Sequence, residues 1–327
     1  MKILVTGSAG HLGEALMRTL RQAGRDVLGI DLKPSSFTDR VGSIRDRAFV
    51  RECMVDADQV IHTATLHKPH IATHGYQDFV DTNITGTLNL LEQAASRKVG
   101  AFVFTSTTSV FGAALIPPIG EPAAWITEEV VPIPKNIYGV SKLAAEHLCE
   151  LFAKRHRLPV VVLRTSRFFP EADDDSQMRS AFTPENAQAN ELLYRRVDIE
   201  DVVGAHLLAL DAAPRLGFGR YIVSATTPFE PTDLADIRQH ADRVVQARFP
   251  ACAELYAARG WRLFERIDRV YDNTCARGAL GWQPRYGFQY VLDSLRTGSD
   301  IRSSLAREIG IKGYHDTVFA DGPYPVM

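Results

Sequence analysis

The chain predicts an α/β fold: a doubly wound parallel sheet with helices on both faces, completed by a smaller, mostly helical substrate domain. Three observations predict it. A short apolar, β-branched run from Lys2 to Thr6 leads into Gly7-Ser8-Ala9-Gly10-His11-Leu12-Gly13, after which Leu12, Leu16 and Leu20 recur at helical spacing. A second strand-like run, Asp26 to Ile30, ends at Asp31, 18 residues after Gly13. Beyond it, amphipathic helical stretches alternate with short buried strands as far as Ser224, as parallel strands joined by crossover helices require.

In the first unit, the glycines allow a sharp turn, close approach of backbone N–H groups to a pyrophosphate, and tight helix–strand packing. Gly7, Gly10 and Gly13, with His11 and Leu12 between them, are therefore cofactor-binding candidates. Asp31 stands where a carboxylate accepts hydrogen bonds from the adenosine ribose, and an acid there repels a 2′-phosphate. NAD is expected over NADP, with Arg40 as a nearby phosphate partner that would argue the other way.

Further along, Arg45 to Met54 reads as a short helix and Gln59 to Ala64 as a buried strand. His67, His70 and His74 follow without a carboxylate or cysteine at ligand spacing, so they are expected to line the cofactor cleft and not to hold a metal. Tyr76 to Lys98 reads as one long helix and Ala101 to Thr105 as a strand running into Ser106-Thr107-Thr108-Ser109. In such sheets ligands bind beyond the carboxyl ends of the strands, which is where Thr107 falls.

Asn136-Ile137-Tyr138-Gly139-Val140-Ser141-Lys142 then opens a helix to about Arg157, with Tyr138 and Lys142 one turn apart on one face. An ammonium about 4 Å from a phenol, at an effective dielectric of about 20, favours phenolate by roughly 4 kcal/mol. At about 1.4 kcal/mol per pKa unit, the expectation is a tyrosine moved from about 10 towards 7 and able to exchange a proton with a substrate hydroxyl.

Composition bounds the alternatives. The 327 residues carry 37 basic and 39 acidic side chains, net −2, so no global field points to nucleic acid or an anionic membrane. Cys53, Cys149, Cys252 and Cys275 are scattered and fit neither a zinc site nor a disulfide framework. The apolar core of Met1 to Val5 is too short for a signal peptide, and no apolar run approaches the ~20 residues of a membrane span. A cytoplasmic protein is expected.

The motifs together resemble the extended short-chain dehydrogenase/reductases, the epimerase/dehydratase group that includes UDP-galactose 4-epimerase. The resemblance rests on Gly7, Gly10 and Gly13; Asp31; His62-Thr63-Ala64; Asn83 with Gly86-Thr87; Ser106-Thr107 before Val110-Phe111-Gly112; Tyr138 with Lys142; and Leu163-Arg164, in family order over roughly residues 1–170. It implies a Rossmann-type domain, with Tyr138 as acid/base, Lys142 on the nicotinamide ribose, and Thr107 hydrogen-bonding the reacting oxygen. It adds Ile44, Thr63, Ala64 and Asn83 to the cofactor site, and it implies a homodimer formed through the Asn83 and Tyr138 helices. Two departures are informative. Ser43 replaces an acid often used for the adenine amine, and Thr108-Ser109 replace the Asp-Glu of sugar 4,6-dehydratases, so water elimination is not expected.

Residues 1–165, with 199–224 returning to them, form the expected dinucleotide-binding domain; 166–198 and 225–327 form the substrate domain. Asp198 to Val203 opens a helix that resembles the family's Val-x-Asp-Asp-Val segment, but only about thirty residues precede it after Phe169, fewer than a nucleotide-sugar diphosphate lobe takes. The interval Arg164–Ser180 instead looks similar to uronate dehydrogenases. Ser166, Arg167 and Arg179 are the substrate candidates, an arginine being the natural bidentate partner of a carboxylate. The acids from Glu171 to Asp175 read equally well as a solvated loop. Arg262, Arg266 and Arg269 are candidate phosphate partners, and Ala276 to Pro284 resembles the family's closing Leu-Gly-Trp-x-Pro segment. The stretch from Ile301, with Lys312-Gly313-Tyr314-His315 and Gly322-Pro323-Tyr324-Pro325, matches no motif and is expected to cover the smaller domain or a dimer contact.

The leading expectation is an NAD-dependent oxidoreductase acting on a secondary alcohol of a sugar or sugar acid. A nucleotide-sugar epimerase with tightly held NAD is the alternative, and a non-catalytic NAD(P)-sensing regulator a third, against which the retained Tyr138–Lys142 pair speaks.

Overall fold

The computed structural model describes residues 1–313 together with His315 and Phe319. Strands β1 (Lys2–Thr6), β2 (Asp26–Asp31), β3 (Arg40–Val41), β4 (Gln59–His62) and β5 (Ala101–Thr107) precede a short strand, β6 (Ala124–Ile126). Strands β7 (Val160–Thr165), β8 (Phe218–Val223) and β9 (Arg269–Tyr271) follow. Seven of them form one sheet of order β3-β2-β1-β4-β5-β7-β8, and every pairing in it is parallel. Strands β6 and β9 pair separately, also in parallel.

The chain leaves β1 towards β2 and β3 on one side, then crosses back to β4 and continues outward. The resulting switch point lies between the carboxyl ends of β1 and β4, where Thr6 pairs with His62. Thr107 and Thr165 are paired at the corresponding end of β5 and β7.

Helices α1 (His11–Gln22), α2 (Arg47–Cys53), α3 (Tyr76–Phe79), α4 (Gly86–Ser96) and α5 (Ile137–His156) come from the first half. Then come α6 (Ser176–Ala181), α7 (Pro184–Glu191), α8 (Ile199–Leu216), α9 (Leu234–Arg248), α10 (Cys252–Ala257), α11 (Thr274–Leu280), α12 (Phe288–Thr297) and α13 (Ser304–Ile309). One face of the sheet is buried by α1, α8, α11 and α13 through Leu12, Leu16, Leu20, Val202, Ala209, Leu280, Trp282 and Ile309. Burial of each such leucine contributes about 1.5–3 kcal/mol. The other face is buried by α2, α4 and α5 through Val50, Leu90, Leu91, Ala145, Cys149 and Phe152. A second core of Ala187, Ala189, Ile237, Val245, Tyr256, Val291 and Leu292 joins α7, α9, α10 and α12.

The expected Tyr76–Lys98 helix runs to Ser96 and contains a π-helical turn at Val80–Thr85, which includes Asn83, whose side-chain bonds are described below. The interval after Glu171 holds two helices, α6 and α7, that apolar periodicity did not signal. Both begin at side-chain caps, Asp175 and Thr183, which accept from Gln177 N and Asn186 N. Helix α11 ends at Gly281, in the left-handed conformation at φ 68°.

Candidate active site

The glycine loop is built by steric necessity. Gly7 lies at φ 73°, and a side chain there would meet Ala64 N and Thr63 Oγ1 at 2.8 Å. A Cβ on Gly13 would fall 1.8 Å from Gly7 O, so α1 can start this close to β1 only without one. Asp31 accepts from Ala9 N at 3.0 Å and from Lys33 N at 2.9 Å, tying the end of β2 to the loop. Arg40 acts on the Cys53 thiol, whose pKa burial raises against the Arg40 hydrogen bond and charge. Ile44 is held by Asn89, whose Nδ2 donates to its carbonyl at 3.0 Å.

These residues open onto a cleft of about 1020 Å³ that runs over the carboxyl ends of the strands. Its wall takes in Gly7, Gly10, His11, Leu12, Gly13, Asp31, Ile44, Thr63 and Ala64 at one end and Thr107, Tyr138, Ser166 and Arg167 at the other. The volume is at the top of the ~300–1,000 Å³ range of small-molecule sites. Asn83 and Lys142, both 2% exposed, lie behind the wall. Asn83 accepts from Leu66 N at 2.8 Å and donates to Leu66 O at 2.8 Å and Ser141 Oγ at 2.9 Å. Ser141 in turn donates to Tyr138 O, so the π turn braces the first turn of α5.

Helix α5 starts at Asn136, whose Oδ1 accepts from Gly139 N at 3.0 Å, and this places Tyr138 in its first turn. Thr107, at the end of β5, accepts from Ser109 N at 3.1 Å, which leaves its hydroxyl proton to be donated outward. It hydrogen-bonds Tyr138. The expected lowering of the phenol is not what the protein alone shows. Burial pushes Tyr138 up to about 12 against the opposing hydrogen bond from Thr107. Burial likewise pushes Lys142 down to about 7. Desolvation is the largest cause of both shifts, and the Lys142 ammonium donates to Thr105 O at 2.6 Å and lies 4.0 Å from the Phe104 ring centroid, against the sheet.

Beneath this pair, Ser106 donates to Glu146 Oε1 at 2.6 Å. Arg164 and Arg220 hold Glu146 Oε2 at 2.8 and 3.0 Å, one helical turn beyond Lys142. His62 bridges Thr6 Oγ1 at 2.8 Å and Thr87 Oγ1 at 2.9 Å.

The three histidines lie where expected, along the cleft. His67 stacks on Phe169 with 5.4 Å between centroids and contacts His70 at 4.6 Å. Burial, then the charge of His74, pushes His70 down to about 4.

At the substrate end Ser166 Oγ is buried without a hydrogen-bond partner. Arg167 reaches Asp173 at 2.7 Å and donates to the carbonyls of Glu171 and Ala172. Arg179 donates to Asp173 O and Asp174 O and faces an adjoining cavity lined also by Lys68, Arg262 and Arg266. Of the acids from Glu171 to Asp175, Glu171, Asp173 and Asp174 are thus partners of His11, Arg167 and Lys68, while Asp175 is exposed. Glu171 is 6% exposed and meets His11 Nε2 at 2.8 Å; burial would raise it, but His11 and the Gly313 N–H hold it below the usual carboxylate range.

The sequence reading missed Arg195 and Tyr271, which line the cleft, and it treated Arg269 only as one of three phosphate candidates. It also missed the path of the chain after Ile309. Lys312 Nζ donates to Ala9 O at 3.1 Å and pairs with Glu14, and His315 Nε2 meets Pro69 O at 2.9 Å. Lys312 thus reaches the glycine loop, while Ile301 packs into the core of α7, α9, α10 and α12 as expected of a cover for the smaller domain; Tyr314 and Gly322–Pro325 lie outside the described residues.

The family model that describes the NAD dependent epimerase/dehydratase family matches residues 3–220. The chain belongs to this family. NAD, expected here from the glycine loop and Asp31, is the cofactor that this family's description names. A protein designated y4nG from Sinorhizobium fredii is 33% identical over 167 residues, 49% of this chain and 39% of that protein's length. A UDP-glucose 4-epimerase from Lactobacillus helveticus is 25% identical over 321 residues, covering 88% of this chain and 93% of that enzyme. The crystal structure of a short-chain dehydrogenase/reductase superfamily protein from Agrobacterium tumefaciens, with bound NAD, superimposes with a TM-score of 0.65 at 23% identity. The match covers 94% of this chain and 99% of that one, and the likeness is one of fold.

Proposed function

We propose that this family member oxidises or reduces a secondary alcohol or ketone of a sugar or sugar acid, with NAD as hydride carrier. The observation that carries the reading is the convergence of Thr107 and Tyr138 in the cleft that also holds the glycine loop and Asp31. Gly7, Gly10, Gly13, Asp31 and Ile44 would hold NAD, which would supply hydride acceptance when bound. The Thr107 hydroxyl orients the reacting oxygen, Tyr138 takes or returns its proton, and buried Lys142 is the cation behind them. Ser166, with a buried Oγ to satisfy, meets the substrate. Purified protein incubated with NAD and a panel of free sugars and uronic acids tests this by NADH absorbance; silence across the panel overturns it.

A second reading, a UDP-hexose epimerase that returns the hydride to the same substrate, is favoured by the full-length likeness to the Lactobacillus helveticus enzyme and by the adjoining cavity with Arg179, Arg262 and Arg266. Interconversion of UDP-glucose and UDP-galactose without added NAD decides for it.

We also infer a homodimer formed through the Tyr76–Ser96 and Ile137–His156 helices, supported by Tyr76, Val140 and Leu151 exposed on them. A single monomeric species in sedimentation at micromolar concentration overturns it. Four free cysteines suit a reducing, cytoplasmic setting. Among the described residues no helix is long and apolar enough to cross a membrane.

A further inference from the structure

Most cations at the substrate end of the cleft are already committed. Arg167 and Arg195 reach Asp173, Arg195 and Arg196 reach Glu191 at 2.7 Å, and Lys68 pairs with Asp174. Arg269 differs. Among the described residues its guanidinium makes no ion pair and no hydrogen bond, and its Nε is buried without a partner. It stands over the Tyr194 ring, 5.9 Å from Cζ, and Arg195 lies 5.5 Å from that same ring.

The carboxylates next to Arg269 in sequence are used elsewhere. Asp268 pairs with Arg238, and Asp272 accepts from Trp125 Nε1 and Thr274 N. Nor is Arg269 on a pliable loop: β9 is fixed by its pairing with β6 and by Tyr271 N donating to Tyr194 O at 3.3 Å. A partly buried guanidinium without a counter-charge is costly unless a ligand supplies one. Arg269 shares the cleft with Tyr138, Tyr271 and Ser166, whose Oγ is likewise buried and unpartnered.

We propose that Arg269, assisted by Ser166, is the anion-recognition point of the active site, so that the substrate is a polyol bearing an oxyanion, a carboxylate or a phosphoryl group, on the same small molecule as the reacting carbinol. This assigns to β9 the role that the sequence pattern suggests for Arg167 and Arg179. It rests on the hydride-transfer reading only for the identity of the reacting group. Charge recognition is a separate property of the pocket.

The test compares the wild-type protein with Arg269→Gln and Arg269→Lys. Turnover with NAD is measured on D-glucuronate, D-galacturonate, glucose 6-phosphate, D-glucose and D-galactose, and binding of the same compounds is measured by calorimetry on NAD-saturated protein. The expected result is that an anionic compound binds the wild type best. Arg269→Gln then raises its Kd and KM by at least ~30-fold, as loss of a desolvated charge contact does. NAD affinity and the kcat at saturation stay within about threefold, and the lysine variant falls between. Glucuronate against glucose 6-phosphate separates carboxylate from phosphoryl recognition.

Wild-type preference for neutral sugars, failure of every anionic probe to bind, or an unchanged Kd in Arg269→Gln overturns the proposal. If anionic probes bind through Arg269 but none reduces NAD, the anion site stands and the dehydrogenase reading falls. If neutral sugars reduce NAD equally well in both proteins, the reverse holds. Retained NAD binding shows that the variants fold.

Discussion

His62 Nε2 donates to Thr87 Oγ1 across 2.9 Å. The direction follows from counting protons: Thr87 spends its single hydroxyl hydrogen on Asn83 O at 2.6 Å and can only accept from the imidazole. Nδ1 is then the acceptor for Thr6 Oγ1, which itself accepts from Thr63 N and Ala64 N. One neutral tautomer thus links the end of β1, the end of β4 and the π turn that braces Tyr138.

That arrangement predicts a histidine that does not titrate between about pH 5 and 8 and whose ¹⁵N shifts report the Nε2–H form. Substitution His62→Leu strands buried hydroxyls on both sides and is expected to cost about 2–4 kcal/mol in urea denaturation. A titrating signal would break the chain of donors just described.

A pH dependence of stability follows from the same burial. His62, His67, His70 and His206 are all depressed by desolvation, His70 and His206 to about 4. Their folded pKa values lie below the unfolded value of about 6.5, so the unfolded chain binds these protons first. Stability is therefore full above about pH 6.5 and falls as pH drops towards 4, by up to about 1.4 kcal/mol per pH unit for each histidine. Thermal unfolding from pH 7 to 4.5 measures the slope; a flat Tm would contradict it.

For catalysis, Tyr138 raised to about 12 beside Lys142 lowered to about 7 predicts different pH profiles in the two directions. Alcohol oxidation needs the phenol deprotonated and should accelerate as pH rises, whereas ketone reduction needs it protonated and should be flat through neutrality. Tyr138→Phe should lower kcat by about 10²–10⁴-fold with NAD affinity retained. Identical profiles in both directions would remove Tyr138 as the proton handler.

The Glu191 carboxylate is buried among Arg195, Arg196 and Arg167, and although burial alone would raise it, their charges hold it far below the usual range. Glu191→Gln leaves Arg196 without its counter-charge and Arg167 and Arg195 with Asp173 alone, and should cost about 3–5 kcal/mol. The loss should appear as a lower urea midpoint with an unchanged slope.

Much of this was legible in the chain. The glycine loop, Asp31, Thr107 and Tyr138 depend on local spacing, and local spacing is what periodicity and strand–turn–helix order reveal. The protonation states were not legible, because a Coulomb estimate between Tyr138 and Lys142 omits the burial that only the packed sheet imposes. Nor was the pairing of Arg167 with Asp173, or the isolation of Arg269. Both depend on which side chains of residues 171–195 and β9 meet, and a run of acids reads the same whether it faces water or an arginine. The π turn at Asn83 escaped for a similar reason: it is stabilised by partners at Leu66 and Ser141, not by its own neighbours.

The contact between Lys312 Nζ and Ala9 O joins residues 303 positions apart. A ribosome adding about 5–20 residues per second takes roughly 15–60 s to cover that interval. During that time the nucleotide loop exists without the lysine that closes over its carbonyl, and the Glu14 carboxylate at the start of α1 faces solvent or other partners. The first structure the chain makes is thus among the last to be finished, and the nascent protein passes through a long stage in which its sheet is forming while its cofactor end still stands open.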